Sequence, residues 1–229
     1  MSTTAAALTH DDRSLILSAL RHPRGRYSAE RASQLSGIPA RTLHDWATSG
    51  AMMPDWIAST PRGWSFRDLV YARLLAWLRS KHMDRTRAAE RVVAIRHQMT
   101  DAVVDPGIRS DGQIVLLGDS HEDGFTGQQV FHGITPFLHV FRLTDPIEGV
   151  SRAELWGPNL VNPSDHTYIS PWVLHGEPCV SNSRVPSSAL YALRLQRGLD
   201  TDQIGELYPQ LTVAAIDDAI DLETRLRVR

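Results

Sequence analysis

Tyr27-Ser28-Ala29-Glu30-Arg31-Ala32-Ser33-Gln34-Leu35-Ser36-Gly37-Ile38-Pro39-Ala40-Arg41-Thr42-Leu43-His44-Asp45-Trp46 reads as two short helices joined by a tight turn. Ser28 is a good N-cap, since its hydroxyl can accept from an orphan amide of the first turn. Ala32 and Leu35 share the inward face of the first helix. Gly37 suits the left-handed conformation just past a helix end, where a side chain would clash. Pro39 restarts the chain with a helical φ, in a first turn where its missing N–H is no loss. In the second helix Leu43 and Trp46 face the first, while Arg41, Thr42 and His44 point outward. Such a pair is a helix-turn-helix, whose second helix is shaped to lie in a major groove. A helical hairpin that binds another protein is the competing reading.

Downstream, Gly50 ends the second helix, and residues 54–63, with strand-like Trp56-Ile57, form a candidate wing. Ser65-Phe66-Arg67-Asp68 is a capping box with Asp in place of the usual Glu. This pattern resembles the N-terminal domain of MerR-type winged-helix regulators. Their Gly-Val-Ser-Pro-Arg-Thr-Leu turn corresponds to Gly37-Ile38-Pro39-Ala40-Arg41-Thr42-Leu43, and their aromatic-Ser-x-x-Asp-Leu helix start to Trp64-Ser65-Phe66-Arg67-Asp68-Leu69. Two positions depart from that pattern: Pro39 stands where the family has a Ser N-cap, and Asp45 where it has a phosphate-supporting aromatic. The resemblance implies operator DNA as a partner. Arg41, Thr42 and His44 are the candidates for base edges or nearby phosphates, Arg62 and Arg67 for wing and backbone contacts, and Ser28 and Trp64 complete the set.

The 229 residues suffice for two modest domains, and the net charge of −2 does not by itself announce a nucleic-acid binder. The distribution does. Residues 24–97 hold 13 basic and 6 acidic side chains, and residues 98–229 hold 9 basic and 18 acidic. A basic front half fits phosphate attraction, and an acidic back half suits a different, basic partner. Cys179 is the single cysteine, so an intrachain disulfide and a thiolate zinc site are both excluded, and with them the cysteine-based metal sensors. No leader pattern or membrane-length apolar run is present, which implies a cytoplasmic protein with no membrane partner.

In chain order, residues 1–23 form an N-terminal segment in which Asp11 caps a helix to Leu20 bearing Leu15, Ile16, Ala19 and Leu20. Residues 24–104 form the winged-helix domain. It closes with a helix from Ser65 carrying Leu69, Ala72, Leu75, Ala76 and Leu78 inward, then one capped by Asp84 carrying Ala88, Val92, Ile95 and Met99. Asp105-Pro106-Gly107 stops helical structure where MerR-type proteins continue into a coiled coil. Residues 105–166 form a β-containing connector with strands expected at 113–117 and 136–143 and a linker or wrapping loop at 145–165. Its Gly118-Asp119-Ser120-His121-Glu122-Asp123-Gly124 run reads first as a turn and only weakly as a metal or phosphoesterase site. No metal, cofactor or catalytic residue is assigned.

Residues 167–229 begin with a strand over 168–174 and a turn at Gly176 and Pro178. Three helices follow: 187–197, with Leu190, Leu193 and Leu195 apolar and stopped by Gly198; 202–207, capped by Thr201; and a last one capped by Thr212, with Ala215, Ile216, Ala219, Ile220 and Leu222 on one face. This module resembles the C-terminal domain of a VapB-type antitoxin group. The runs that carry the likeness are Gly176-Glu177-Pro178-Cys179-Val180-Ser181-Asn182-Ser183-Arg184-Val185-Pro186 and Gly198-Leu199-Asp200-Thr201-Asp202-Gln203-Ile204-Gly205-Glu206-Leu207-Tyr208-Pro209-Gln210-Leu211-Thr212. It implies a PIN-like ribonuclease toxin as partner. A nuclease that holds its metal with carboxylates can be plugged by a guanidinium, which makes Arg225, Arg227, Arg229 and Arg184 the candidate toxin-binding residues. So small a module is expected to pair with another chain, as a homodimer or a larger assembly with the toxin.

The sequence therefore implies a mainly α protein with short β elements: a winged helix-turn-helix, a small β-containing middle segment, and a three-helix module behind a β-hairpin. The function it implies is an antitoxin, not an enzyme, that represses its own operon and silences a ribonuclease. The alternative is a one-component regulator that senses a small molecule through residues 113–143.

Overall fold

The computed structural model describes residues 10–59, 61–101, 134–152 and 154–228. The described residues form eight α-helices and two small antiparallel hairpins. Helix α1 spans His10–Arg21, α2 Ala29–Ser36, α3 Ala40–Thr48, α4 Phe66–Ser80 and α5 Arg85–Asp101. Strands β1 (Phe141–Leu143) and β2 (Leu155–Gly157) pair in the middle segment, and β3 (Thr167–Tyr168) pairs with β4 (Cys179–Val180) after it. Helices α6 (Ser187–Arg197), α7 (Thr201–Leu207) and α8 (Val213–Arg227) close the chain. No helix among the described residues is long and apolar enough to cross a membrane.

The local signals at α2 act as the sequence implies. Ser28 Oγ accepts from the Arg31 amide, and Gly37 ends the helix at φ 82° with its own N–H on the Ser33 carbonyl. Pro39 differs: at φ −53°, ψ 138° it is the extended residue ahead of α3, not part of its first turn. Leu43 and Trp46 are buried as expected, but so is Thr42, which was expected outside. Residues 54–63 make no regular strand among the described positions. Trp56 forms a single bridge to Gly63, and Tyr27 forms one to Trp64.

Helix α4 is the centre of the molecule, with thirteen of its fifteen residues buried. Its capping box is complete, since Ser65 and Asp68 each take the other's backbone N–H. Asp84 starts α5 by accepting from the Thr86 and Arg87 amides. Arg73 on α4 is fully buried and pairs with no carboxylate among the described residues. Its guanidinium donates to the carbonyls of Leu35 (2.6 Å), Ser36 (3.1 Å), Phe137 (2.9 Å), His139 (2.8 Å) and Pro158 (2.6 Å). Two of these are orphan carbonyls at the end of α2, so one side chain caps that helix and ties the middle segment to it. Burial pulls the guanidinium down to about 9, which leaves it charged at neutral pH.

The middle segment corrects one expectation and narrows another. Residues 136–143 are not one strand: Thr135–Leu138 is a 3-10 turn, because Pro136 presets a helical φ, and only Phe141–Leu143 is extended. Of the two readings of residues 145–165, linker or wrapping loop, the second holds, since Ile147, Leu155, Leu160 and Val161 are core residues. The backbone of β2 lies directly on the α2–α3 turn. A Cβ at Gly37 would overlap the Trp156 carbonyl, and one at Gly157 would sit 2.7 Å from the Ser36 carbonyl oxygen. The strand expected at 113–117 and the run 118–124 lie outside the described residues.

In the last module the chain turns straight after β3, so the strand expected over 168–174 is only Thr167–Tyr168. Asp200, not Thr201, caps α7, through a reciprocal box with Gln203 that frees the Thr201 hydroxyl to donate to Asp217. Thr212 caps α8 as expected. Leu195 faces solvent in the last turn of α6 rather than the core. The module has its own apolar cluster around Leu190, Ile204, Ile216 and Ile220, yet Leu222 and Leu226 of α8 enter the larger core shared with α2 and α4.

Candidate functional site

Helix α3 turns one polar stripe outward. Arg41, His44, Asp45 and Thr48 are exposed at spacings of three and four, while Thr42, Leu43, Trp46 and Ala47 face inward. Arg62 is exposed on the segment that follows. Ser28 is exposed, with its hydroxyl committed to the α2 cap.

Trp64 (3 % exposed) and Arg67 (8 %) are internal, so their side chains do not present themselves to a ligand. Arg67 forks onto Asp55 at 2.7 and 2.8 Å and donates to the Arg21 carbonyl. Arg96 reaches the same Asp55, and Ser65 Oγ donates to it at 2.5 Å. The acid that the sequence leaves unexplained at Asp55 is thus what draws Arg67 inward. Burial raises the Asp55 carboxyl, but the hydrogen bond from Arg67 and the Arg96 charge outweigh it and hold the group below its ordinary value. Asp68, fully enclosed beside Asp55, is pushed up to about 6 by burial and by that neighbouring carboxylate, against the pull of Arg96.

The positive charge of the front half is therefore smaller at the surface than in the sequence. Arg31, Arg67 and Arg73 are all buried within the molecule. Two exposed cations that the motif reading missed compensate in part. Arg24 and Arg26 flank Gly25, whose carbonyl takes the Trp56 indole N–H, and the Arg26 side chain lies against Gly63, next to Arg62. The signal was the Arg24-Gly25-Arg26 triplet itself, which sits just ahead of the α2 cap.

Opposite the α3 stripe, α2 is welded to the last module. Arg31 is held between Glu223 of α8 and Glu177, and Glu223, fully buried, also accepts from the Ser187 hydroxyl at 2.6 Å. The Tyr27 hydroxyl donates to the Gly176 carbonyl at 3.0 Å, and burial raises its pKa well above the usual phenol range.

The turn that follows β4, closed by the Val180 N–H on the Val185 carbonyl, carries Asn182 at φ 59°, and beside it a hollow of about 470 Å³ is lined by Tyr168, Ser181, Asn182, Ser183 and Arg184. Arg184 is exposed there, and no hydrogen bond or ion pair engages its guanidinium among the described residues. Cys179 is buried close by, its thiol pushed up to about 11 by burial and then by Glu177, which makes it a poor nucleophile.

Residues 168–221 match DUF433, a family described as a protein of unknown function. Neither the curated proteins nor the solved structures give a match. The DUF433 segment takes in the β3–β4 hairpin, α6, α7 and the first part of α8, and so contains both sequence runs quoted above for this module.

The other arginines assigned to toxin binding lie beyond the DUF433 segment and are placed differently. Arg225 is exposed. Arg227 stacks 4.8 Å over the Tyr191 ring and donates to Glu223 at 3.3 Å, so its guanidinium is already engaged. Arg229 lies outside the described residues. No group of His, Cys, Asp and Glu among the described residues is placed to hold a metal ion. Most of the pocket that the sensor alternative needs, at 113–143, also lies outside them.

Proposed function

We propose that the chain is an antitoxin that binds the operator of its own operon through a helix-turn-helix and silences a PIN-like ribonuclease through its C-terminal module. The observation that carries the reading is the outward stripe of α3, with Arg41, His44 and Thr48 exposed opposite the buried Leu43 and Trp46. A second helix presented this way fits a major groove, with Arg41 and His44 toward base edges and Arg62 toward phosphate. In this reading residues 54–63 act as a short wing that makes backbone contacts and carries no regular strand pair.

The toxin half of the reading is supported by the DUF433 match together with the resemblance to VapB-type antitoxins. Among the candidate plugs Arg184 is the best placed, because a hairpin fixes its backbone while its guanidinium stands open in a hollow. Arg225 is second. A cytoplasmic site of action and a hetero-oligomer with the toxin follow from the same reading.

The test is co-expression of the full chain with the product of the adjacent reading frame, then affinity purification, a ribonuclease assay and a gel shift on the upstream DNA. A stable complex that cleaves RNA only after this chain is stripped away supports both halves. A gel shift without complex formation removes the toxin half and leaves a DNA-binding regulator.

A further inference from the structure

Two large apolar side chains at the junction of α7 and α8 are left exposed by the described residues. Leu207, 58 % exposed, and Val213, 53 % exposed, flank a tight turn closed by the Leu211 N–H on the Tyr208 carbonyl. Both ends of that turn are anchored, by the Tyr208 N–H on Ile204 and by the Thr212 cap, so these side chains are presented from fixed backbone. From Asp200 to Glu223 the chain has seven carboxylates and no Lys or Arg.

Four of those carboxylates have internal work. Asp200 caps α7, Asp217 takes the Thr201 hydroxyl, Asp218 takes Ser164 Oγ and the His166 amide, and Glu223 holds Arg31. Asp202, Glu206 and Asp221 are exposed and make no hydrogen bond or ion pair among the described residues. Asp202 stands in the first turn of α7, where the helix N-terminus favours a carboxylate, and no partner holds Glu206 or Asp221 among the described residues. They lie on the same two helices as Leu207 and Val213.

We propose that this apolar pair with its three unpaired carboxylates is a docking surface for a basic, phosphate-binding protein face, that of the ribonuclease named in the antitoxin reading, on which the inference rests. A nuclease must attract a polyanion and therefore surrounds its acidic metal centre with cations. Asp202, Glu206 and Asp221 meet those cations where RNA phosphates would lie, while Leu207 and Val213 supply the dry centre of the contact. Two acidic faces repel one another, so charge disfavours a second copy of this chain as the occupant.

The experiment uses the full chain with the product of the adjacent reading frame, and Kd is measured at low and high salt for wild type, Leu207→Glu, and the triple variant Asp202→Asn, Glu206→Gln, Asp221→Asn. Leu207→Glu is expected to weaken the complex by about tenfold or more. The triple variant is expected to weaken it chiefly at low salt and to flatten the salt dependence, with the melting temperature and operator binding of both variants kept. A complex indifferent to both variants overturns the docking surface and leaves the antitoxin reading intact. A change in the mass of this chain alone on Leu207→Glu assigns the face to a second copy and overturns the proposal too. Failure of wild type to bind the neighbour removes the antitoxin reading, and the inference with it.

Discussion

Arg31 and Glu223, 192 residues apart in the chain, meet through two parallel hydrogen bonds of 2.6 and 3.1 Å in the buried seam between α2 and α8. A bidentate pair of this kind fixes distance and orientation together. Helices α2 and α8 are thereby held as one unit, with Leu222 and Leu226, which flank the carboxylate in sequence, packed into the core they share.

Replacing one partner leaves the other charged and buried. Glu223→Gln is expected to cost about 3–5 kcal/mol, because Arg31 loses its best-buried charged partner. For a chain of this size that lowers Tm by roughly 6–20 °C. Thermal unfolding followed by circular dichroism should stay a single transition, and the paired change Arg31→Met with Glu223→Leu should recover much of the loss. Two separate transitions in the single variant would show that the halves are not coupled as described.

Acid titration should act in two opposed steps. Asp68 has its folded pKa raised to about 6, so it binds its proton more tightly when folded. The stability this gives is fully present below its ordinary value of 3.8 and is lost as pH rises through about 6. Glu223 is the reverse case. Burial raises it, but the Arg31 hydrogen bonds and charge, then Ser187 and Arg227, hold it below its ordinary 4.5. Asp55 is depressed in the same way, and both contributions are lost as pH falls through their folded values. Unfolding free energy from denaturant titration should therefore rise between about pH 7 and 5 and fall below about pH 4. Asp68→Asn should flatten the upper step; a wild type without that step contradicts the assignment.

Gly37 and Gly198 both have left-handed backbone, at φ 82° and 66°. A Cβ at Gly198 meets nothing within 4 Å, whereas one at Gly37 runs into the Trp156 carbonyl. Gly198→Ala should thus cost only the conformational term of about 1–2 kcal/mol. Gly37→Ala should cost clearly more, since a backbone group has to move. Equal melting temperatures for the two variants would remove the close packing of β2 on the α2–α3 turn.

DNA binding separates the arginines that the motif grouped together. Arg62→Ala should weaken binding to every sequence and reduce the salt slope by about 1, while Arg41→Ala should also relax specificity. Arg67→Ala should act on stability instead, because its guanidinium serves Asp55 and the Arg21 carbonyl. Fluorescence anisotropy at several salt concentrations, with a melt of each variant, distinguishes the three. Unchanged operator affinity in Arg62→Ala would sink its phosphate role.

The caps and periodic helices were legible in the sequence because their causes are local. Ser28, Gly37, Ser65 with Asp68, Asp84, Gly198 and Thr212 each act within five residues of themselves. Arg67 and Thr42 were misplaced for the converse reason. An arginine's address depends on where its acid lies, and Asp55 and Glu223 come near Arg67 and Arg31 only through the fold. Arg73 was invisible in the same way, since five backbone carbonyls leave no mark in a sequence. Composition left residues 145–165 as either linker or wrapping loop, because Pro, Gly and Asn serve both, and only the packing of Ile147, Leu155, Leu160 and Val161 decides for the second.

The seam between α2 and α8 also sets a timetable for synthesis. Neither Arg31 nor the core beneath α2 can be completed until Leu226 has left the ribosome, so a nascent chain holds an unfinished helix pair for most of its elongation. Under this arrangement a chain cut short by stalled translation would lack both α8 and a properly seated α2, and would be open to proteases from the moment of its release.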